Sequence, residues 1–310
     1  MRRLWAALIA PLLMVAAPGP ALAETAPTSI SSHETVLGHG GVPLVVQEWG
    51  NPDGPPILLI HGFSFGAVSW KNQIGEIAEN ARIIAFDLRG HGMSGKPWDP
   101  EDYAGSEIWA DDIAAVLKAK GVTRPTIVGW SFGGYVAVDY LRKCGADCAN
   151  GLVLVGSLAG LVASPPTPNP EEYGMPVSQG DVRADDYHSL FTGIAWTARV
   201  MTHDPPSPLA MLQKQLSLAM TPPYVRRAMI GKSLDNREFA PCLGLPVLIM
   251  RGTSDGTLPE GSLKELLGVL PTARAIEYPG AGHSPFEERP EEFNRDLLAF
   301  VQANQRKTSQ

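Results

Sequence analysis

The chain has 310 residues, of which 44% are hydrophobic and 18% are charged. This composition excludes a mostly disordered protein, because disorder requires low hydrophobicity together with high charge. The formal net charge of −7 indicates no basic surface for nucleic acid, so we expect no nucleic-acid partner.

The first 23 residues have the pattern of a secretory signal peptide. Two arginines precede the apolar stretch 4–17, and Ala21-Leu22-Ala23 provides the small residues of a cleavage site. An uncleaved anchor is the alternative, but this stretch is shorter than a bilayer requires, and no later apolar run approaches the roughly 20 residues of a membrane helix. We therefore expect export to the periplasm or the medium, residues 24–34 as a flexible leader, and no membrane span in the mature protein.

Strand and helix patterns alternate along most of the remaining chain. Short runs rich in Val, Ile and Leu predict strands at 42–48, 57–60, 82–86, 126–128, 152–155, 247–250 and 274–278. Helical patterns lie between them, notably at 106–120, 132–143, 260–270 and 290–302. This alternation predicts an α/β fold with a mainly parallel central sheet flanked by helices, formed by residues 35–157 and 243–310.

The alternation stops over residues 158–242. This stretch is too long for a structureless loop, and helical patterns at 208–220 and 224–233 predict an inserted helical lid. Apolar side chains in it are candidates either for the lining of an acyl pocket or for the core of the lid itself, and both interpretations stay open. They are Phe191, Trp196, Met201, Met211 and Met220.

Two G-x-S-x-G sequences follow predicted strands, at 62–66 and at 129–133. In this motif a sharp strand-to-helix turn lifts the serine hydroxyl clear of the sheet. If Ser64 were the nucleophile, no earlier strand-helix unit would supply the second donor of an oxyanion hole. With Ser131 as the nucleophile, the turn that ends at Phe63 is in place to supply it. We therefore predict Ser131 as the nucleophile and Ser64 as a residue that lines the substrate site.

A serine nucleophile needs a base, and the base needs an orienting group. Asp255 follows one predicted strand and His283 follows the next, so both lie at carboxyl ends of the sheet, where catalytic groups gather in open α/β folds. The order Ser131, Asp255, His283 is the one expected for a nucleophile of this type. We expect His61 and His91, in glycine-rich turns, to bind backbone groups instead.

These motifs together resemble the α/β-hydrolase fold family from about residue 35 to the end. The matching stretches are Leu59-Ile60-His61-Gly62-Phe63, the Asp-Leu-Arg-Gly-His-Gly-Met-Ser run at 87–94, the Ser131 turn with Gly134, Gly252-x-x-Asp255 and Gly282-His283. The Gly-Trp-Ser-x-Gly-Gly turn is similar to that of pimeloyl-carrier-protein methyl esterases, and the run at 87–94 is similar to non-haem haloperoxidases and many esterases. The resemblance implies that the backbone N–H groups of Phe63 and Phe132 form the oxyanion hole.

At several positions the chain differs from particular groups of the family, and these differences argue against the activities of those groups. Perhydrolase-type members usually have Trp-Pro where this chain has Phe63-Ser64, and hydrolases of carbon–carbon bonds often have Asn where it has Trp130. Epoxide hydrolases and haloalkane dehalogenases use an aspartate where it has Ser131. In the run at 87–94, we expect Asp87 and Arg89 to be a structural pair.

We therefore predict an exported serine hydrolase that cleaves a small-molecule carboxylic ester, thioester or lactone through an acyl-enzyme, without cofactor or metal. An amide or carbon–carbon bond hydrolase on the same triad, or an inactive binding member of the family, are the alternatives. We expect Ser64, Trp130, Phe191 and Trp196 to contact the substrate.

The three cysteines are interpreted in the light of export. Three residues lie between Cys144 and Cys148, and in an oxidising compartment so short a loop can close as a disulfide. Two independent thiols are the alternative, and a metal site would need more ligands nearby. We expect Cys242, which is far away in the sequence, to be a small buried residue.

Overall fold

The computed structural model describes residues 32–165 and 180–305. The predicted signal peptide and residues 24–31 of the predicted leader lie outside them. Within the described residues, eight strands form one sheet. They are β1 (Ser32–Leu37), β2 (Pro43–Gly50), β3 (Pro56–Ile60), β4 (Arg82–Phe86), β5 (Thr126–Trp130), β6 (Gly151–Val155), β7 (Val247–Gly252) and β8 (Ala273–Tyr278).

The strands lie in the order β1-β2-β4-β3-β5-β6-β7-β8. The pairs β1/β2 and β2/β4 are antiparallel, and every pair from β4 to β8 is parallel. The fold class is therefore the predicted one. Because strands β3 to β8 run in the same direction, the loops that follow them collect at one edge of the sheet.

All seven predicted strands are present, each within two residues of its predicted ends. The edge strand β1 was not predicted, because among its side chains only that of Val36 is buried and no apolar alternation marks it. Residues 32–34, which we assigned to a flexible leader, therefore belong to the sheet, and that boundary is wrong.

The helices of the core cover both faces of the sheet. They are α1 (Ile74–Ala78), α2 (Glu101–Ala104), α3 (Ser106–Ala119), α4 (Phe132–Cys144), α8 (Glu260–Val269), α9 (Pro285–Glu288) and α10 (Pro290–Gln305). Side chains of α3, α4 and α8 share one hydrophobic cluster with Leu58 and Ile60 of β3. Those of α1 and α10 share a second cluster with Ile57 and Leu59. Burial on both faces explains why the central strands are continuous apolar runs rather than alternating ones.

In the described residues between β6 and β7 there are three α-helices, namely α5 (Tyr187–Val200), α6 (Pro208–Ala219) and α7 (Pro223–Ala228). We call residues 158–165 and 180–242 the insertion. Side chains cap two of its helices, since Asp186 accepts from the N–H of Ser189 and Ser207 from that of Ala210. Among the described residues, no helix combines the length and apolarity needed to cross a bilayer.

In the structure the sulfurs of Cys144 and Cys148 are bonded, with their Cα atoms 6.1 Å apart. Cys144 is the last residue of α4, and Gly145 after it turns the chain with a φ of +97°. Cys242 is a free, exposed thiol, so the expectation that it is buried is wrong. It ends a short 3-10 helix that buries Ala240 instead.

Candidate active site

Ser131 occupies the turn between β5 and α4. Its φ of +52° and ψ of −118° lie where residues with a side chain are strained. The turn is held because the Ser131 N–H donates to the carbonyl oxygen of Val155 at 2.9 Å. A Cβ atom at Gly133 would overlap the carbonyl oxygen of Ile60, so the glycine that ends the motif allows the close approach of α4 to β3.

Ser157, which we did not predict as a site residue, lies just after β6 and supports the same turn. Its hydroxyl donates to the carbonyl oxygen of Ser131 at 2.6 Å and accepts from the N–H of Ala159 at 3.1 Å. A Cβ at Gly134 would overlap the Ser157 hydroxyl, which explains why a second glycine follows the motif. The strained backbone of Ser131 is thus fixed on both sides of its Cα.

Asp255 and His283 meet at the carboxyl ends of β7 and β8. The Nδ1 atom of His283 is 3.0 Å from Oδ2 of Asp255, and both side chains are buried. The other carboxyl oxygen, Oδ1, accepts from the backbone N–H of Thr257 at 2.9 Å and from its hydroxyl at 2.7 Å. Burial would raise the pKa of Asp255, but the proximity of His283 and these hydrogen bonds outweigh it and hold the pKa below its ordinary value.

Trp130 holds the histidine from the side of the sheet. Its indole N–H donates to the carbonyl oxygen of His283 at 2.9 Å, and its side chain is fully buried against Phe65 and Phe286. We expected Trp130 to contact the substrate, and this is wrong because no part of the side chain is exposed. It links the end of β5 to the loop after β8 instead.

The turn at Gly62-Phe63 lies beside Ser131, since a Cβ at Gly62 would be 3.3 Å from the Cβ of Ser131. Phe132 is the first residue of α4, so its N–H has no partner within the helix. Within residues 32–165 and 180–305, no hydrogen-bond acceptor is found for the N–H of Phe63 or of Phe132. Two unsatisfied donors therefore flank the serine.

Ser64 follows Phe63, but its side chain is buried. It is 1% exposed, and its hydroxyl accepts from the Nε of Arg226 at 2.9 Å. Arg226 comes from α7 of the insertion and is itself fully buried, and burial lowers its pKa to about 10. The expectation that Ser64 lines the substrate site is wrong, because this contact occupies its side chain.

The two aromatic residues predicted to contact the substrate differ in position. Trp196 of α5 lines a cavity of about 350 Å³ together with Phe63, but Ser131, Phe132 and His283 do not line it. Phe191 is 59% exposed, does not line this cavity and stacks on Tyr187 at 5.9 Å between ring centroids. Of the methionines of the insertion, Met201 and Met211 pack against the core and Met220 is exposed.

The remaining polar residues near the site have structural roles. His61 accepts from the N–H of Leu88 through Nε2 at 3.0 Å, and the Nδ1 of His91 bonds the carbonyl oxygen of Arg89 at 2.8 Å. Asp87 accepts backbone N–H groups at 2.7 and 2.8 Å.

The pairing expected between Asp87 and Arg89 is wrong. Arg89 instead forms a fully buried ion pair with Asp112 of α3, with nitrogen–oxygen distances of 2.6 and 2.7 Å. No cluster of three or more His, Cys, Asp or Glu side chains able to hold a metal ion occurs in the described parts of the chain.

Comparison with known proteins agrees with this architecture. Residues 57–296 match the model of the alpha/beta hydrolase family. The bifunctional esterase/perhydrolase of Acinetobacter calcoaceticus is 29% identical over 281 residues, which cover 85% of this chain and 97% of the relative. The pimeloyl-[acyl-carrier protein] methyl ester esterase of Nitrosomonas europaea is 27% identical over 252 residues, which cover 80% and 95%.

Among solved structures, the esterase RhEst1 from Rhodococcus sp. ECU1013 is 30% identical and superimposes with a TM-score of 0.75, covering 87% of this chain and 98% of that one. The chain therefore belongs to the alpha/beta hydrolase family, as its motifs indicated. Its similarity to several esterases supports a hydrolase that acts on esters.

Proposed function

We propose that this protein hydrolyses a small-molecule carboxylic ester with a triad of Ser131, His283 and Asp255. The observation that carries the proposal is the buried, hydrogen-bonded pair of His283 and Asp255 after β8 and β7, at the same edge of the sheet as the strained backbone of Ser131 after β5. The N–H groups of Phe63 and Phe132 support the same reaction, because in the described parts of the chain neither has an acceptor, and both residues adjoin the Ser131 turn.

In this reaction the Ser131 oxygen attacks the ester carbonyl carbon, and His283 Nε2 takes the hydroxyl proton. The carbonyl oxygen becomes an oxyanion, which the N–H groups of Phe63 and Phe132 stabilise by about 3 kcal/mol each. The C–O bond then breaks, and His283 delivers the proton to the leaving alcohol. Water, deprotonated by His283, attacks the acyl-enzyme and releases the acid.

The contact at His283 Nδ1 decides which nitrogen reacts. Because Asp255 is a carboxylate that accepts from Nδ1–H, the neutral imidazole keeps its lone pair on Nε2, where it can accept a proton. The pKa of Asp255 lies below its ordinary value, which favours the ionised carboxylate. The carboxylate also stabilises the imidazolium that forms after proton transfer.

A panel of p-nitrophenyl esters of increasing acyl length tests the proposal. We expect turnover by the wild type and loss of turnover in Ser131→Ala, since no other serine takes the role. A fluorophosphonate probe should label Ser131, and mass spectrometry should find the label there and not on Ser64. Labelling of Ser64, or turnover by Ser131→Ala, would refute the assignment. Absence of labelling in the folded wild type would favour an inactive binding protein.

We also propose that the protein is exported to the periplasm or the medium. The support is the N-terminal pattern of two arginines, an apolar stretch and Ala21-Leu22-Ala23, together with the short loop between Cys144 and Cys148. N-terminal sequencing of the protein from fractionated cells tests this. We expect a mature chain that begins near Glu24 outside the cytoplasm, and an intact N-terminus in the cytoplasmic fraction would contradict it.

A further inference from the structure

Thr257 makes contacts that the triad as proposed does not use. It lies two residues after Asp255, in the loop between β7 and α8. Its hydroxyl oxygen is 2.7 Å from Oδ1 of Asp255 and 2.9 Å from Nδ1 of His283. The Thr257 hydroxyl therefore contacts both Asp255 and His283, although Thr257 itself is exposed at the surface.

The direction of these hydrogen bonds follows from what each atom can do. The carboxylate oxygen can only accept, so the Thr257 hydroxyl donates its proton to Oδ1 of Asp255. The hydroxyl oxygen then has lone pairs free, and the neighbouring Nδ1–H of His283 donates to it while also facing Oδ2 of Asp255 at 3.0 Å. The Nδ1–H proton is shared between two acceptors.

We propose that Thr257 is a positioning residue of the active site, which gives His283 Nδ1–H a second acceptor and fixes the orientation of the Asp255 carboxyl group. This inference rests on the proposed triad. Thr257 acts only through the other two residues and does not touch the reacting atoms. Its role is to keep the proton of the neutral imidazole on Nδ1, so that Nε2 can act as the base.

The fixed orientation has a consequence for Asp255→Asn. Two donors of Thr257, its N–H and its hydroxyl, point at the Oδ1 position. The carbonyl oxygen of an asparagine must occupy that position, because its NH₂ group would face two donors there. The NH₂ group is then directed at Nδ1 of His283 and selects the tautomer that cannot act as a base. In Asp255→Ala, by contrast, the Thr257 hydroxyl remains as an acceptor for Nδ1–H.

Four variants test the role of the hydroxyl, measured on a p-nitrophenyl ester that the wild type turns over. Thr257→Val keeps the size and removes the hydroxyl, and we expect kcat to fall about ten-fold with KM within two-fold, the effect of losing one ordinary hydrogen bond. Thr257→Ser should restore most of kcat. Thr253→Val is the matched control, since that hydroxyl bonds the N–H of Gly280 in the neighbouring loop and does not touch the pair. Ser131→Ala reports on the triad itself.

Three further comparisons separate positioning from packing. We expect Asp255→Asn to retain less kcat than Asp255→Ala, and Thr257→Val to lower kcat again when added to Asp255→Ala. In the proton NMR spectrum, the far-downfield signal of the His283 Nδ1–H should shift in Thr257→Val and not in Thr253→Val.

The inference is overturned if Thr257→Val has wild-type kcat, if Thr257→Ser behaves like Thr257→Val, or if Asp255→Ala retains no more kcat than Asp255→Asn. If Ser131→Ala is inactive while Thr257→Val is unimpaired, only the role of Thr257 fails. If Ser131→Ala retains turnover, the proposed function itself fails. Circular dichroism and melting temperatures check that each variant is folded.

Discussion

Acid should destabilise this protein because two histidines are buried in their neutral form. His61 and His91 are fully buried, with ring centroids 5.1 Å apart. Nε2 of His61 accepts from the N–H of Leu88, so a proton there would break that hydrogen bond. Nε2 of His91 is buried without a partner among the described residues, so a proton there would have no acceptor. Burial lowers the pKa of both side chains, that of His91 most strongly.

The sign of the effect follows from which state binds protons. Above the unfolded-state pKa of about 6.5, both states are neutral at these positions and stability does not change with pH. Below it, the unfolded chain binds more protons at these two positions than the folded chain does. The free energy of unfolding therefore decreases as the pH is lowered. The slope approaches about 1.4 kcal/mol per pH unit for each histidine, or about 2.8 kcal/mol per pH unit for both. Against a total of about 5–15 kcal/mol, one pH unit is therefore a large loss.

Urea unfolding of the wild type and of His91→Asn between pH 5 and pH 8 measures this. Asparagine can keep the hydrogen bond to the carbonyl oxygen of Arg89 but cannot be protonated. We expect this variant to be less stable at pH 8 and to have a slope below pH 6 that is smaller by about 1.4 kcal/mol per pH unit. His188→Asn, which removes an exposed histidine, is the control. A slope in His91→Asn equal to that of the wild type would refute the reasoning.

Three more predictions concern the site and its supports. Ser64→Ala should keep a substantial part of the ester turnover that Ser131→Ala abolishes, which initial rates check. Its melting temperature should fall in thermal scans, because the buried Arg226 guanidinium loses an acceptor. Trp130→Phe should lower kcat more than it raises KM, because the carbonyl oxygen of His283 loses its donor, and equal changes in both would contradict this. Cys144→Ser should lower the melting temperature slightly and leave kcat intact, and alkylation of the denatured, unreduced protein should modify one cysteine, whereas three would exclude the disulfide.

The core of the fold could be predicted from the sequence because burial on both faces makes its strands short apolar runs. The run 82–86 has the same bounds in the sequence and in the structure. β1 was not predicted, because an edge strand that exposes most of its side chains needs no apolar pattern, only backbone pairing with β2. Helix α5 has no marker as strong as the proline that opens α6, so the sequence indicated its apolar residues but not its bounds.

The candidate triad residues could be predicted because each follows a strand that the sequence marks clearly. The side chains that support them could not be, because their roles depend on distances across the sheet. Ser157 and Thr257 are ordinary loop residues until β6 and β7 place them beside Ser131 and Asp255. The indole of Trp130 was misassigned for the same reason, since its position next to the nucleophile in sequence does not reveal that it points into the core.

The insertion is joined to the catalytic loops by buried polar contacts, and this bears on whether it opens as a lid. Arg226 bonds Ser64 beside the candidate oxyanion turn, and Lys214 of α6 pairs with Glu287 of α9. Glu288 joins the two parts directly, because one carboxyl oxygen accepts from the N–H of Gly282 at 2.6 Å and the other from the N–H of His203 at 2.9 Å.

Lifting the insertion would break these contacts together and would also expose apolar side chains that the insertion buries against the core. These side chains include Ile194 and Leu218, which lie in one hydrophobic cluster with Ile57 and Leu59 of β3. Because both kinds of contact would be lost on opening, we expect the insertion to stay in place beside the turns after β3 and β8.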